Sequence, residues 1–254
     1  MHERVTEAIL AACAEGRPAL IPFLTAGYPE PAGFATTLRA VAAVGDVVEV
    51  GIPFSDPMAD GMTIQRSSFE ALKKGVSLRW IFDELERAGD VGAPLVMMSY
   101  LNPLLAFGYD NLALRARETG VCAFIVPDLP FEECGDFVDA LGTQGIGLVQ
   151  LVTPATPRAR LEMLCGASRG FVYAVTITGI TGGSAGLPAD LAGYLDRVSA
   201  VSMLPVCAGF GIRAAEDVAN VGKHAAGAIV GSALVEVLES GGDPAAFLRK
   251  LGGR

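Results

Sequence analysis

Short apolar runs punctuate the chain at a near-regular interval. They occupy Ala19–Thr25, Val47–Val50, Pro94–Tyr100, Val121–Val126, Gly147–Val152, Phe171–Thr176, Leu204–Ala208 and Ala226–Val230. Each is a continuous apolar stretch, the pattern of a strand buried on both faces of a parallel sheet. Between most of them apolar residues recur at helical spacing, as in Pro31–Val44, Tyr109–Thr119, Phe131–Leu141, Arg158–Cys165 and Leu187–Val198. The interval between the second and third runs is longer and holds two helical patterns, 62–74 and 77–88. Val5, Ala8, Ile9, Ala12 and Cys13 form an amphipathic stripe ahead of the first run, ended by Gly16 and Pro18. Eight such units, each roughly 25–30 residues long, predict an α/β fold: a (β/α)8 TIM barrel. Residues 1–254 are read as a single barrel domain with an extra N-terminal helix. A doubly wound sheet is the structural alternative, but it usually uses fewer strands.

Composition narrows the function classes. Of 254 residues, 51% are hydrophobic, 19% charged and 7% aromatic, so the core is large and aliphatic. A net charge of -9 argues against nucleic acid as the main partner. Any anionic ligand must then be held by local groups against the global field. No run approaches the length of a membrane span, and the N-terminal stretch is broken by Glu3, Arg4 and Glu7. The expectation is a cytoplasmic protein with no membrane contact. Five cysteines without CxxC spacing and two histidines predict buried, reduced thiols and no metal site. His2 and His224 have no motif around them and are read as surface residues.

In a barrel of this kind the site lies at the C-terminal ends of the strands. Glu49 interrupts the apolar run Val47-Val48-Glu49-Val50. A carboxylate buried there has a raised pKa, which suits a general acid/base; equally, it can be a structural Glu paired with an arginine or a backbone donor. Asp56 and Asp60 lie in the loop that follows. They read as Asx turns or helix caps, or, for Asp60, as a second carboxylate folded over Glu49. Three glycine-rich segments follow the last three runs: Thr178–Ser184, Gly209-Phe210-Gly211-Ile212 and Gly231-Ser232-Ala233-Leu234. Loops of this type can hold phosphate through backbone N–H groups, and the last one opens a helix; equally, they can be ordinary turns between strand and helix. The uncharged stretch 177–188 fits a mobile lid or an ordinary surface loop. Phe23, Tyr100 and Tyr173 fit either barrel packing or a pocket for a flat ring.

The segment Val48-Glu49-Val50-Gly51-Ile52-Pro53-Phe54-Ser55-Asp56-Pro57-Met58-Ala59-Asp60-Gly61 resembles the signature of the tryptophan synthase alpha chain family. Thr63-Ile64-Gln65, Pro22–Gly27, Pro127-Asp128-Leu129-Pro130, Gly179-Ile180-Thr181-Gly182, Gly209–Ile212 and Gly231-Ser232-Ala233 match in order over nearly the whole chain. The resemblance implies a carbon–carbon lyase that cleaves indole-3-glycerol phosphate by a retro-aldol step. Glu49 falls on the acid/base residue, and Asp60 on the carboxylate that stabilises charge at the indole nitrogen. Gly182, Gly211, Gly231 and Ser232 fall on the phosphate loops. Phe23, Tyr100 and Tyr173 fall on the substrate pocket, and Thr181 on the lid threonine. Asp56, Pro57 and Asn102 fall on the contact with a beta chain in an α2β2 heterotetramer. The resemblance implies no cofactor in this chain and pyridoxal phosphate on the beta partner, which receives the indole. Two positions depart from the family pattern: Met62 stands where proline is usual, and Ile177 where many members carry an arginine. The glycine loops alone also fit another phosphate-binding barrel enzyme of aromatic or histidine biosynthesis. A catalytically silent activating subunit is a third reading.

Overall fold

The computed structural model describes residues 1–176, 190–209 and 211–253. Eight parallel strands pair in sequence order and close: β1 (Ala19–Thr25), β2 (Val48–Gly51), β3 (Leu95–Met98), β4 (Val121–Ile125), β5 (Gly147–Val152), β6 (Val172–Val175), β7 (Val206–Gly209) and β8 (Gly227–Val230). The last strand pairs with the first through Ala19↔Gly227 to Pro22↔Val230. The predicted (β/α)8 barrel is therefore the observed fold.

The helices are α1 (Glu3–Ala14), α2 (Phe34–Ala42), α3 (Met62–Lys73), α4 (Leu78–Ala88), α5 (Leu101–Phe107), α6 (Tyr109–Glu118), α7 (Gly135–Thr143), α8 (Arg158–Ala167), α9 (Leu191–Ser199), α10 (Ala215–Val221), α11 (Ser232–Glu239) and α12 (Pro244–Leu251). Local chemistry sets several starts. The Ser77 hydroxyl accepts the Trp80 N–H ahead of α4, and Asp243 caps α12 by accepting from Ala245 and Ala246. Alternate strand residues face opposite ways. Leu20, Leu24, Val48, Val50, Val172 and Ala208 pack outward with Leu38, Phe82 and Leu234 of the helices. Ile21, Val47, Val96, Ala123, Val149 and Ile229 fill the barrel interior.

Helix α1 belongs to that interior. Its stripe of Val5, Ile9 and Ala12 is buried in the same cluster and closes the N-terminal end of the barrel. The Thr6 hydroxyl donates to Gly170 O at 2.6 Å, and the His2 N–H to Gly145 O at 3.2 Å, tying the helix to the turns before β6 and β5. His2 is thus half-buried, not a free surface residue as the sequence predicts, and burial lowers its pKa. His224 is also half-buried, with Nδ1 2.9 Å from Asp196 Oδ1.

Several boundaries differ from the sequence reading; the pattern at Phe131–Leu141, for one, is a 3-10 turn, Phe131–Glu133, followed by α7. The pattern at Pro31–Val44 splits into a 3-10 turn, Pro31–Gly33, and α2, because Pro31 starts the turn one residue after an extended Glu30. The run Pro94–Tyr100 is a strand only over Leu95–Met98. Ser99 and Tyr100 are buried without continuing it, and Tyr100 caps the unpredicted helix α5.

Candidate active site

Glu49 is the second residue of β2, two positions after the buried Val47 that precedes the strand and two before Gly51. Phe23 of β1 is its register partner on one side and Val96 of β3 on the other. Those two apolar neighbours explain its environment: the side chain is 1% exposed. Its Oε2 has no hydrogen-bond partner, and no arginine or lysine pairs with it among the described residues. The structural ion-pair reading therefore fails. Burial, reinforced by the charge of Asp60, pushes its pKa up to about 8.

Asp60 reaches the same space from the loop between β2 and α3. Gln65 Nε2 donates to its backbone carbonyl at 2.8 Å, and its own N–H donates to Pro57 O at 3.1 Å. The Tyr100 hydroxyl donates to Asp60 Oδ2 at 3.1 Å. Burial raises the Asp60 pKa to about 6, and the Tyr100 hydrogen bond opposes that rise. At neutral pH the two environments leave Glu49 protonated and Asp60 ionised. Two carboxyls whose values are pushed apart can divide the acid and the charged roles.

Asp60 opens onto a small cavity lined also by Phe23, Gly51, Ile52, Ile64, Ser68, Met98, Ser99 and Tyr100; Glu49 is not in its lining but lies two residues before Gly51 on β2. Gly51 is required there, because a Cβ would overlap the tip of the Phe23 ring. Gly209 has the same relation to Tyr173 across β6 and β7. Phe23 and Tyr173 thus occupy the room that two glycines vacate on neighbouring strands. Tyr173 is buried, and that burial drives its hydroxyl pKa well up. The sequence reading did not name Gly51, Ile52, Ile64, Ser68, Met98 or Ser99 as site residues. One signal was available: positions 60, 64 and 68 are four apart, so they line one side of the loop–helix junction.

The residues expected to hold phosphate follow two adjacent strands, β7 and β8. Gly211 follows β7 with φ of +81°, a conformation that side chains resist. Asp217 Oδ2 accepts the N–H groups of Arg213 and Ala214, both at 2.9 Å, and fixes the turn after it. Gly231 caps α11, and Ser232 is its first residue. The N–H groups of Ser232 and Ala233 head the helix, where intrahelical acceptors are lacking, so they are available to an anion. Gly231 also adjoins Phe23: a Cβ there would lie 3.8 Å from Phe23 Cβ. Phe23 therefore bridges the backbone donors and the carboxyl cavity. Thr181, Gly182, Ile177 and the 177–188 stretch lie outside the described residues.

Asp56, Pro57 and Asn102 take no part in the cavity lining. Asp56 and Asn102 are exposed and Pro57 half-exposed, and the Ser55 hydroxyl donates to Asp56 Oδ2. Met62 heads α3 at the position where a proline is also tolerated. The five cysteines are unpaired thiols, four of them buried.

A family model described as tryptophan synthase alpha chain matches residues 10–250. The chain is 42% identical over 248 residues to the tryptophan synthase alpha chain of Nitratidesulfovibrio vulgaris strain DP4, covering 97% of this chain and 96% of that one. It is 44% identical to the alpha chain of Desulfovibrio desulfuricans, over 96% of this chain and 97% of that one. Among solved structures, it resembles Mycobacterium tuberculosis tryptophan synthase with a TM-score of 0.90 at 36% identity, covering 98% and 97% of the two chains. A tryptophan synthase complex from Pyrococcus furiosus matches with a TM-score of 0.84 at 33% identity, over 94% of this chain and 99% of that chain.

Proposed function

The chain belongs to the tryptophan synthase alpha chain family and is the lyase that cleaves indole-3-glycerol phosphate, and from that premise we propose how its residues divide the reaction. The alternative barrel enzymes and the silent subunit are not favoured by these matches. Protonated Glu49 delivers its proton to the ring carbon that bears the side chain. That proton converts the indole to an indolenine, whose nitrogen carries positive charge. Ionised Asp60 stabilises that cation. Glu49, now a carboxylate, accepts the proton of the hydroxyl on the carbon attached to the ring. The carbon–carbon bond then breaks, its electron pair returns to the ring, and indole and glyceraldehyde 3-phosphate separate. Glu49 ends with the proton that it began with. The observation that carries this reading is a fully buried, unpartnered Glu49 that feels the charge of the half-buried Asp60 beside it, with Glu49 pushed up to about 8 and Asp60 to about 6.

Phe23 and Tyr173 pack the indole ring from two sides of the barrel, with Tyr100 at the rim. Gly211, Gly231 and Ser232 take the phosphate through backbone N–H groups, and Gly182 and Thr181 would complete that side on the 177–188 lid. This neutral site holds an anion without drawing on the acidic global charge. Residues 1–254 act as one barrel domain in the cytoplasm. The described helices include none long and apolar enough to cross a membrane. The chain itself uses no cofactor.

The solved complexes support a beta-chain partner. Asp56, Pro57 and Asn102 form part of its docking face in an α2β2 heterotetramer. Met58 beside them is 78% exposed, and Leu105 on α5 is 56% exposed. Exposed apolar side chains of that size favour a covering surface. The partner would carry pyridoxal phosphate and consume the indole.

The test is release of indole from indole-3-glycerol phosphate by the purified chain, alone and with a beta chain. Slow release alone, accelerated by the partner, is expected. A folded chain that releases no indole under either condition overturns the reading.

A further inference from the structure

Tyr100 stands where β3 hands over to α5, and it touches three residues of one loop. Its ring stacks on Phe54, with centroids 5.1 Å apart and planes inclined by 28°. Its hydroxyl oxygen accepts the Ala59 N–H at 2.8 Å. The same hydroxyl donates to Asp60 Oδ2 at 3.1 Å. A phenol has one proton and lone pairs to spare, so both bonds form together. The Ala59 bond fills the acceptor side of the oxygen and leaves the proton for Asp60. Two more contacts fix the tyrosine. The next residue, Leu101, donates its N–H to Asp128 Oδ1 at 2.9 Å, and the Ser99 hydroxyl donates to the Tyr100 carbonyl at 2.9 Å.

We propose that Tyr100 is a positioning residue for the lyase reaction: its hydroxyl aims the Asp60 carboxylate into the cavity and holds it in the charged form. The inference rests on the assignment of Asp60 given above. The charged or titratable groups around this pair among the described residues are few. Glu49 faces Asp60 from β2, Tyr173 faces it from β6, and Asp128 beyond β4 faces Tyr100. Glu49 is protonated at neutral pH, so burial is what opposes a negative charge at Asp60. The hydrogen bond from Tyr100 is the interaction that favours it. Burial and the neighbouring Asp60 also drive the phenol's own pKa far up, so Tyr100 stays a donor throughout the working range. A residue that merely lined the pocket would need the ring alone. Here both ends of the hydroxyl are used, and both on the segment that presents Asp60.

The test compares Tyr100→Phe, Phe54→Leu and Asp60→Asn by the pH dependence of indole release from indole-3-glycerol phosphate. Tyr100→Phe keeps the ring and removes both hydrogen bonds. Its kcat should fall about 10- to 100-fold, with KM changed little. The acid limb of kcat/KM, which reports ionisation of Asp60, should move to higher pH. Phe54→Leu removes the stack but keeps the hydroxyl, so its acid limb should stay in place. Fluorinated tyrosine at position 100 is a stronger donor in the same shape, and it should move the limb to lower pH. That readout does not depend on how well the phenylalanine variant folds. An unchanged acid limb in both the phenylalanine and the fluorotyrosine proteins, with Asp60→Asn inactive, overturns the inference alone. An active Asp60→Asn overturns the assignment of Asp60 beneath it.

Discussion

The two ends of the barrel interior are built from the same strands and for opposite purposes. At the N-terminal end Val5, Ile9 and Ala12 of α1 cluster with Val47 and Phe171, and these residues are all apolar. At the C-terminal end the inward positions of the same strands are Glu49 and Gly51 on β2 and Gly209 on β7. One end has shape without charge. The other has an orphaned carboxyl oxygen and glycines that yield room to aromatic rings. The apolar layer and the proposed chemistry are thus separated by two residues of one apolar run, from Val47 to Glu49. Buried charge is unfavourable, and the apolar plug offsets it at the far end.

The sharpest way to break this comparison is Glu49→Gln. Removing the proposed acid/base should lower kcat by about 10²–10⁴-fold, read as indole release. The same variant should be more stable than the parent at alkaline pH. Folded Glu49 titrates at about 8, against an ordinary 4.5, so the folded chain keeps a proton that the unfolded chain releases. Its carboxyl therefore favours folding below pH 4.5 and loses that contribution as pH rises through 8. Glutamine does not titrate. The gap between the two proteins should open from pH 5 to pH 8 and reach a few kcal/mol, read from denaturation midpoints. A Glu49→Gln protein that is inactive but shows no such gap would mean that Glu49 is not buried as a lone carboxyl.

Ile9→Ala probes the other end. Ile9 is fully buried under the barrel floor. Its truncation should lower unfolding free energy by about 2–5 kcal/mol and leave kcat for the folded protein near that of the parent. A loss of kcat without a loss of stability would show that the two ends are not independent.

What the sequence disclosed follows the same division. The strands β1 and β5 were legible to the residue, because continuous apolar runs ended in turn signals. The α1 stripe was legible as a helix, but not as the plug of the barrel, since a periodicity names a face and not its partner. Helix α5 escaped, because seven residues, Leu-Asn-Pro-Leu-Leu-Ala-Phe, are too few to show a period and continue an apolar run. Glu49 stood out as one charge in an apolar strand. Its lack of a partner did not, because any of the arginines could have been folded against it. The bond from Tyr100 to Asp60 spans 40 positions, and no local pattern encodes it.

The smallest expected effect lies on the proposed phosphate side, where backbone N–H groups would do the binding. Gly211 sits at φ +81°, and alanine there costs on the order of 1 kcal/mol or somewhat more in backbone strain. That strain turns the N–H groups of the turn away from the anion, while α11 and its first N–H groups stay in place. Gly211→Ala should therefore raise KM for indole-3-glycerol phosphate by roughly tenfold, with kcat nearly unchanged. Binding of glycerol phosphate, measured by calorimetry, should weaken by the same factor, because it has the phosphate and lacks the ring. Indole itself should bind as it does to the parent, since Phe23 and Tyr173 are untouched. If ring and phosphate affinities instead fell together, the turn would be part of the cavity wall, and the separation between backbone binding and side-chain chemistry would not hold at the mouth.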